Sequence, residues 1–215
     1  MRPRFKLAPN MSFLLTTMLA LPLLYLICLL ATRNHYIFAF QISLLLLPSL
    51  LLLKKFGLEG AFNRESLAKK IALTTLITVF ITAGLNLALN ASLPYIPGAE
   101  AMQEDMKKLF HPHSSLGVAV DIFSVAVLPA VCEEMFFRGW VQTALAHFLK
   151  PWAAIVVSAS IFALFHTNLW LLPFYFILAS VFGVIYFRTK NLNLAILAHF
   201  LNNAVGVILF HTITR

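Results

Sequence analysis

An all-α, polytopic membrane bundle of about seven spans is the fold class this sequence predicts, and three observations carry it. The chain is 60% hydrophobic and 11% charged, with mean hydropathy +0.87, whereas soluble domains run roughly 45–50% apolar and ~25% charged. Its apolar residues come in runs of about 20, the length that crosses ~30 Å of hydrocarbon at ~1.5 Å per residue. Lysine and arginine collect in alternate connections, as cytoplasmic loops require. At 215 residues the chain makes one integral domain without an internal repeat.

The elements follow in order. A basic start (Arg2, Arg4, Lys6) precedes an apolar run from Ser12 to Ala31. That run exceeds the ~7–15 residues of a signal-peptide core and ends without a small-x-small cleavage pattern, so a mature first helix is expected. The second span is Tyr36 to Leu53, and the basic loop Lys54 to Lys70 hugs the cytoplasmic leaflet. Ile71 to Leu93 is the third span. Leu93 to Ser115, with Pro94, Pro97 and the polar segment Glu100 to Lys108, reads as a short outer surface helix. The fourth span, Gly117 to Leu149, is too long for a straight crossing, and tilting, an extramembrane turn or a kink at Pro129 takes up the excess. Pro151 to Phe187 lacks Asp, Glu, Lys and Arg and holds two spans turning near Asn168 to Pro173. Leu192 to Phe210 is the seventh. The expected division is 1–116, three spans and an outer loop, and 117–215, a catalytic helical core with its site between the last four helices.

With the N-terminus inside, Arg2, Arg4, Lys6, Lys54, Lys55, Arg64, Lys69, Lys70, Lys150, Arg188 and Lys190 are cytoplasmic. Only Arg33, Lys107, Lys108 and Arg215 fall outside, which favours an N-in, C-out arrangement; the expected location is a bacterial inner membrane. The net charge of +8 is therefore topogenic and implies no nucleic-acid partner. Cys28 and Cys132 lie in apolar runs and read as small buried hydrophobes. His111 and His113 read as solvated loop residues.

Against this background Glu133, Glu134 and Arg138 stand out, because each charge at a bilayer centre costs at least ~2.5–3.5 kcal/mol. Glu134 and Arg138 share a helix face at i, i+4 and make a structural ion pair. Glu133 points ~100° away, towards another helix. The same spacing pairs Phe162 with His166 and His199 with Asn203. These groups suffice for peptide hydrolysis by activated water, which needs a general base and donors for the oxyanion. Glu133 would take the proton, His166 would hold the water, and His199 with Asn203 would steady the oxyanion. Phe137 and Phe162 would wall the site. His147, Asn86, Asn90, Asn168, Asn193, Asn202 and His211 read as interhelical hydrogen-bonding groups. Asp121 either faces the site or lies near the outer interface.

Glu133-Glu134-x-x-x-Arg138, Phe162-x-x-x-His166 and His199-x-x-x-Asn203 together resemble the three motifs of the CPBP family, in family order and each within an apolar segment. That family groups type II CAAX prenyl endopeptidases with bacteriocin-processing and immunity (Abi) proteins. The resemblance covers roughly Asp121 to Phe210. It implies an intramembrane glutamic endopeptidase with Glu133 as catalytic glutamate, His166, His199 and Asn203 as its partners, and Glu134 and Arg138 as the structural part of the first motif. The implied partners are a membrane-associated protein or peptide substrate and the lipid bilayer. No cofactor is expected.

Two other classes of function remain open on the residues alone. Glu133, His166 and His199 would make three ligands for a divalent metal, although the His-Glu-x-x-His pattern is absent. A non-enzymatic immunity or transport protein would use the same polar groups as a binding network. One tension concerns depth. Counted from the inner ends, Glu133 and His166 lie about 15–17 residues in and His199 only about eight, unless the Lys150-Pro151 turn protrudes or the last helix tilts. If Glu133 and His199 are far apart, the hydrolytic mechanism fails.

Overall fold

Proline, an extended cap and a left-handed lysine set where the helices of the C-terminal bundle begin and end. The computed structural model describes residues 67–101, 104, 107, 110, 114–166 and 168–213. The spans expected at Ser12 to Ala31 and Tyr36 to Leu53, and His111 and His113, lie outside the described residues.

Helix α1 is Leu67–Ser92 and ends in a 3-10 turn at Leu93–Tyr95 with Pro94 inside it. Helix α2 runs unbroken over Ser115–Phe148. Ser114 begins it from an extended conformation, its hydroxyl accepting the Gly117 N–H at 3.0 Å. Lys150, also extended, precedes Pro151 at the first turn of α3, Pro151–Phe165. A 3-10 turn at Leu169–Leu171 leads to α4, Leu172–Thr189, which stops at Lys190 with φ 52°. After that reversal comes α5, Leu192–Ile213.

The described residues are helical throughout apart from their turns, and α1, α2, α4 and α5 are each long and apolar enough to cross a membrane. The fifth expected span is shorter than the sequence suggested. At 15 residues α3 reaches only about 22 Å, because the chain turns at His166. The long fourth span stays continuous through Pro129 by a route periodicity does not reveal. Two stretches of wider π turn, Ile122–Val127 and Met135–Gln142, flank the α segment Leu128–Glu134 that carries Pro129.

Side chains satisfying backbone carbonyls lock α2 against its neighbours. Arg138 Nη2 donates to the Ala179 carbonyl at 2.6 Å and Gln142 Nε2 to that of Gly183 at 3.0 Å, so α2 and α4 run parallel. The α2–α5 pairing is antiparallel, from Leu192 beside Gly139 to His211 Nε2 on Asp121 Oδ2 at 2.8 Å. Thr82 of α1 donates to Asn202 Oδ1 of α5 at 3.1 Å, from the buried threonine row Thr74, Thr78 and Thr82. Small β-branched residues of that kind let membrane helices approach closely.

Candidate active site

Glu133 and Glu134 sit near the middle of α2, and α5 decides what each of them meets. Glu134 is fully buried and its Oε1 takes two donors, Arg138 Nη1 at 2.9 Å and His199 Nδ1 at 2.9 Å. A carboxylate only accepts, so His199 carries a proton on Nδ1 and turns Nε2 the other way. Nε2 lies 3.9 Å from Glu133 Oε2. That separation is too long for a direct hydrogen bond and short enough for both atoms to contact one water molecule.

The apparent disagreement in depth between these two residues disappears in the fold. Leu192 Cδ2 lies 3.5 Å from where a Cβ on Gly139 would stand. Counting from that contact, Glu133 is six residues back along α2 and His199 seven residues on along α5. The end of α2 at Phe148 extends about 13 Å past Gly139, so it is the Lys150-Pro151 turn that protrudes.

Aromatic rings fix the imidazoles. Phe182 stacks on His199 at 5.0 Å between centroids, and Phe162 meets it edge-on at 5.9 Å. The same two rings sandwich the Arg138 guanidinium, at 5.1 Å from Phe162 and 5.5 Å from Phe182. Phe137 packs on Phe162 at 5.0 Å. The apolar wall that encloses the site therefore also holds its cation.

His166 lies just beyond the last residue of α3 rather than on it, with φ −83° and ψ 0°. Its Nδ1 is 3.0 Å from the Phe162 carbonyl, which places a proton there, and its ring stacks on Tyr175 at 4.0 Å. Phe162 meets both His166, at 4.7 Å, and His199, which together with the His166–Tyr175 stack and the 3.9 Å approach of His199 to Glu133 joins Glu133, His199, Phe162, His166 and Tyr175 into one cluster. Tyr175 is the member of that cluster that sequence reasoning missed. A lone tyrosine in an apolar run carries no motif, although Tyr175, Ala179 and Phe182 do lie along one helical stripe of α4.

Asn203 has a different environment from the oxyanion position expected of it. Its Nδ2 donates to the Val125 carbonyl at 3.0 Å and its Oδ1 accepts from Asn202 at 3.0 Å. In an α-helix that carbonyl would receive the N–H of residue 129, which is Pro129 and has none. Asn203 thus gives a side-chain donor to a carbonyl that Pro129 cannot reach with an N–H of its own.

Two further expectations resolve here. Asp121 is completely buried but faces His211, twelve residues and about 18 Å along α5 from His199, so it does not belong to this site. The alternative metal set of Glu133, His166 and His199 does not fit, because among the described residues no three His, Cys, Asp or Glu groups gather as metal ligands.

Comparison with known proteins finds similarity over the stretch that holds this site. A family model described as type II CAAX prenyl endopeptidase Rce1-like matches residues 115–205, which run from the start of α2 to beyond Asn203. The chain is similar to the membrane-embedded CAAX protease MroQ of Staphylococcus aureus (strain USA300), with 32% identity over 97 residues, covering 42% of this chain and 39% of that relative. The chain therefore matches well under half of that relative's length, and no solved structure matches. Residues 115–205 of this chain, with all three motifs inside them, are thus similar to the Rce1-like type II CAAX prenyl endopeptidases.

Proposed function

We propose that this chain is a multi-pass membrane endopeptidase that hydrolyses a peptide bond of a membrane-associated protein or peptide, with Glu133 as general base. The observation that carries this reading is the buried approach of Glu133 Oε2 to His199 Nε2 at 3.9 Å, with His199 held from behind by Glu134. A water between those atoms gives its proton to Glu133 while its oxygen attacks the carbonyl carbon. Glu134 cannot serve as the base in the same way, since its Oε1 already takes Arg138 and His199. The aromatic enclosure keeps bulk water out, which strengthens each electrostatic contact inside it. MroQ, named a CAAX protease, supports this reading, as does the Rce1-like match.

The test compares new protein N-termini in membranes of cells that carry the wild type or Glu133→Gln at matched levels. Termini present only with the wild type are expected, and they name the substrate. Identical sets across several growth conditions would overturn the reading and favour a binding network.

A further inference from the structure

Several hydroxyl groups of the bundle are spent within their own helix. Ser160, Ser180, Thr189 and Thr212 each donate to the carbonyl four residues earlier, at 2.7–2.9 Å. Thr82 does otherwise. It is 1% exposed, and its Oγ1 donates across to Asn202 Oδ1 of α5 at 3.1 Å. From there the bonds continue. Asn202 Nδ2 donates to Asn203 Oδ1 at 3.0 Å, and Asn203 Nδ2 to the Val125 carbonyl of α2 at 3.0 Å. One line of side chains thus joins α1, α5 and α2, and it passes through the last residue of His199-x-x-x-Asn203.

The direction of that line is set at Val125. A backbone carbonyl only accepts, so the Asn203 amide turns its nitrogen to Val125 and its oxygen to Asn202. Asn202 answers with its nitrogen, which leaves its own oxygen for the Thr82 hydroxyl. The amide nitrogen of Asn203 carries two protons, of which Val125 takes one and no described residue the other. In hydrolysis the oxygen of the attacked carbonyl gathers negative charge and needs a donor of that kind. An Asn203 amide turned end over end would offer it an acceptor instead.

We propose that Thr82 and Asn202 are positioning residues that hold the Asn203 amide with its nitrogen ready for the oxyanion, an inference that rests on the hydrolytic reading above. Asn203 is one helical turn from His199 on the same face of α5, and His199 Nε2 is 3.9 Å from Glu133 Oε2. The amide therefore lies one turn from the carboxylate that takes the water proton. Thr82 acts only through the two asparagines. It belongs to α1, Leu67–Ser92, outside the residues 115–205 that resemble the Rce1-like enzymes, and it gives that helix a part in the chemistry beyond packing. Within a membrane no bulk water stands in for a donor that is lost from such a line.

The test uses a Glu133-dependent cleavage site from the membrane proteome, remade as a fluorogenic peptide, with the full chain in proteoliposomes. Thr82→Val keeps the shape and removes the donor. Its kcat per folded molecule should fall roughly 3–10-fold, the worth of one neutral hydrogen bond, with KM nearly unchanged. Thr82→Ser keeps the hydroxyl and should run within about twofold of wild type. Asn202→Ala should fall at least as far as Thr82→Val, and combining the two should lower kcat no further than Asn202→Ala alone, because the link between them is already gone. A wild-type kcat in Thr82→Val, a loss confined to KM or to folded yield, or a Thr82→Ser enzyme as slow as Thr82→Val overturns the proposal. So does a Thr82→Val loss of equal size with Asn202 present and absent. Glu133→Gln in the same assay separates the two levels. If it cleaves like wild type, the hydrolytic reading falls and this inference with it; if it is inactive while Thr82→Val is normal, only the inference falls.

Discussion

Replacing Arg138 by methionine should cost the protein more stability than any other single change in the bundle. Arg138 is 1% exposed, and its guanidinium bridges Glu134, the Ala179 carbonyl and two aromatic faces. Methionine fills much of the same space and removes the charge. Glu134 would keep His199 on Oε1 but lose its cation, and its Oε2 has no partner among the described residues to begin with. Breaking a buried ion pair by removing one member costs ~3–5 kcal/mol. The stranded Ala179 carbonyl adds at least ~1 kcal/mol. A total of ~4–6 kcal/mol lowers the folded-to-unfolded ratio roughly 10³–10⁴-fold, at ~1.4 kcal/mol per tenfold. Denaturant unfolding of the full chain in detergent micelles measures this directly. Adding Glu134→Leu to Arg138→Met removes the uncompensated carboxylate, so stability should recover by at least ~2 kcal/mol. Cleavage should not recover, because His199 has lost the acceptor that orients it. A single-variant loss below ~1 kcal/mol, or a double variant that cleaves normally, would refute this account of the pair.

Three other outcomes follow from particular contacts. A Cβ on Gly183 would stand 2.8 Å from Gln142 Oε1 and 3.0 Å from Ile155 Cγ2, so Gly183→Ala should cost ~1–3 kcal/mol in the same unfolding assay, with Gly84→Ala, where no described residue lies within 4 Å, as its control. His211→Ala should cost ~2–3 kcal/mol by depriving buried Asp121 of its imidazole, while the cleavage rate per folded molecule stays at the wild-type level. Cleavage should survive a strong divalent-metal chelator, since the donors around Glu133 do not form a three-ligand group among the described residues; a loss restored by added metal would contradict that.

What could be read from the residues depended on how local each interaction is. Runs of apolar residues bounded by Pro151, the Lys190-Asn191 turn and Ser114 placed α2, α4 and α5 well, because a membrane helix satisfies its own backbone. The Glu134–Arg138 pair was legible for the same reason, being a contact within one helix. That His199 lands on Glu134 as well as near Glu133 was not, since it depends on how α5 is rotated against α2. The π turns of α2 hid in a sequence that reads as ordinary helix, and they alter the angular register of everything beyond them. His166 moved from the helix to the turn because α3 stops at Phe165, with Asn168 and Pro173 following within eight residues. Pro129 was readable as a missing hydrogen bond. The identity of its replacement, Asn203, required the fold.

The central claim is that Glu133 takes the proton from the attacking water, and the rate of a single peptide measures it most directly. With the full chain in proteoliposomes under single-turnover conditions, Glu133→Gln should slow cleavage roughly 10²–10⁴-fold, the usual contribution of a general base, while circular dichroism stays unchanged. A rate within threefold of wild type would contradict the account and remove Glu133 from the chemistry.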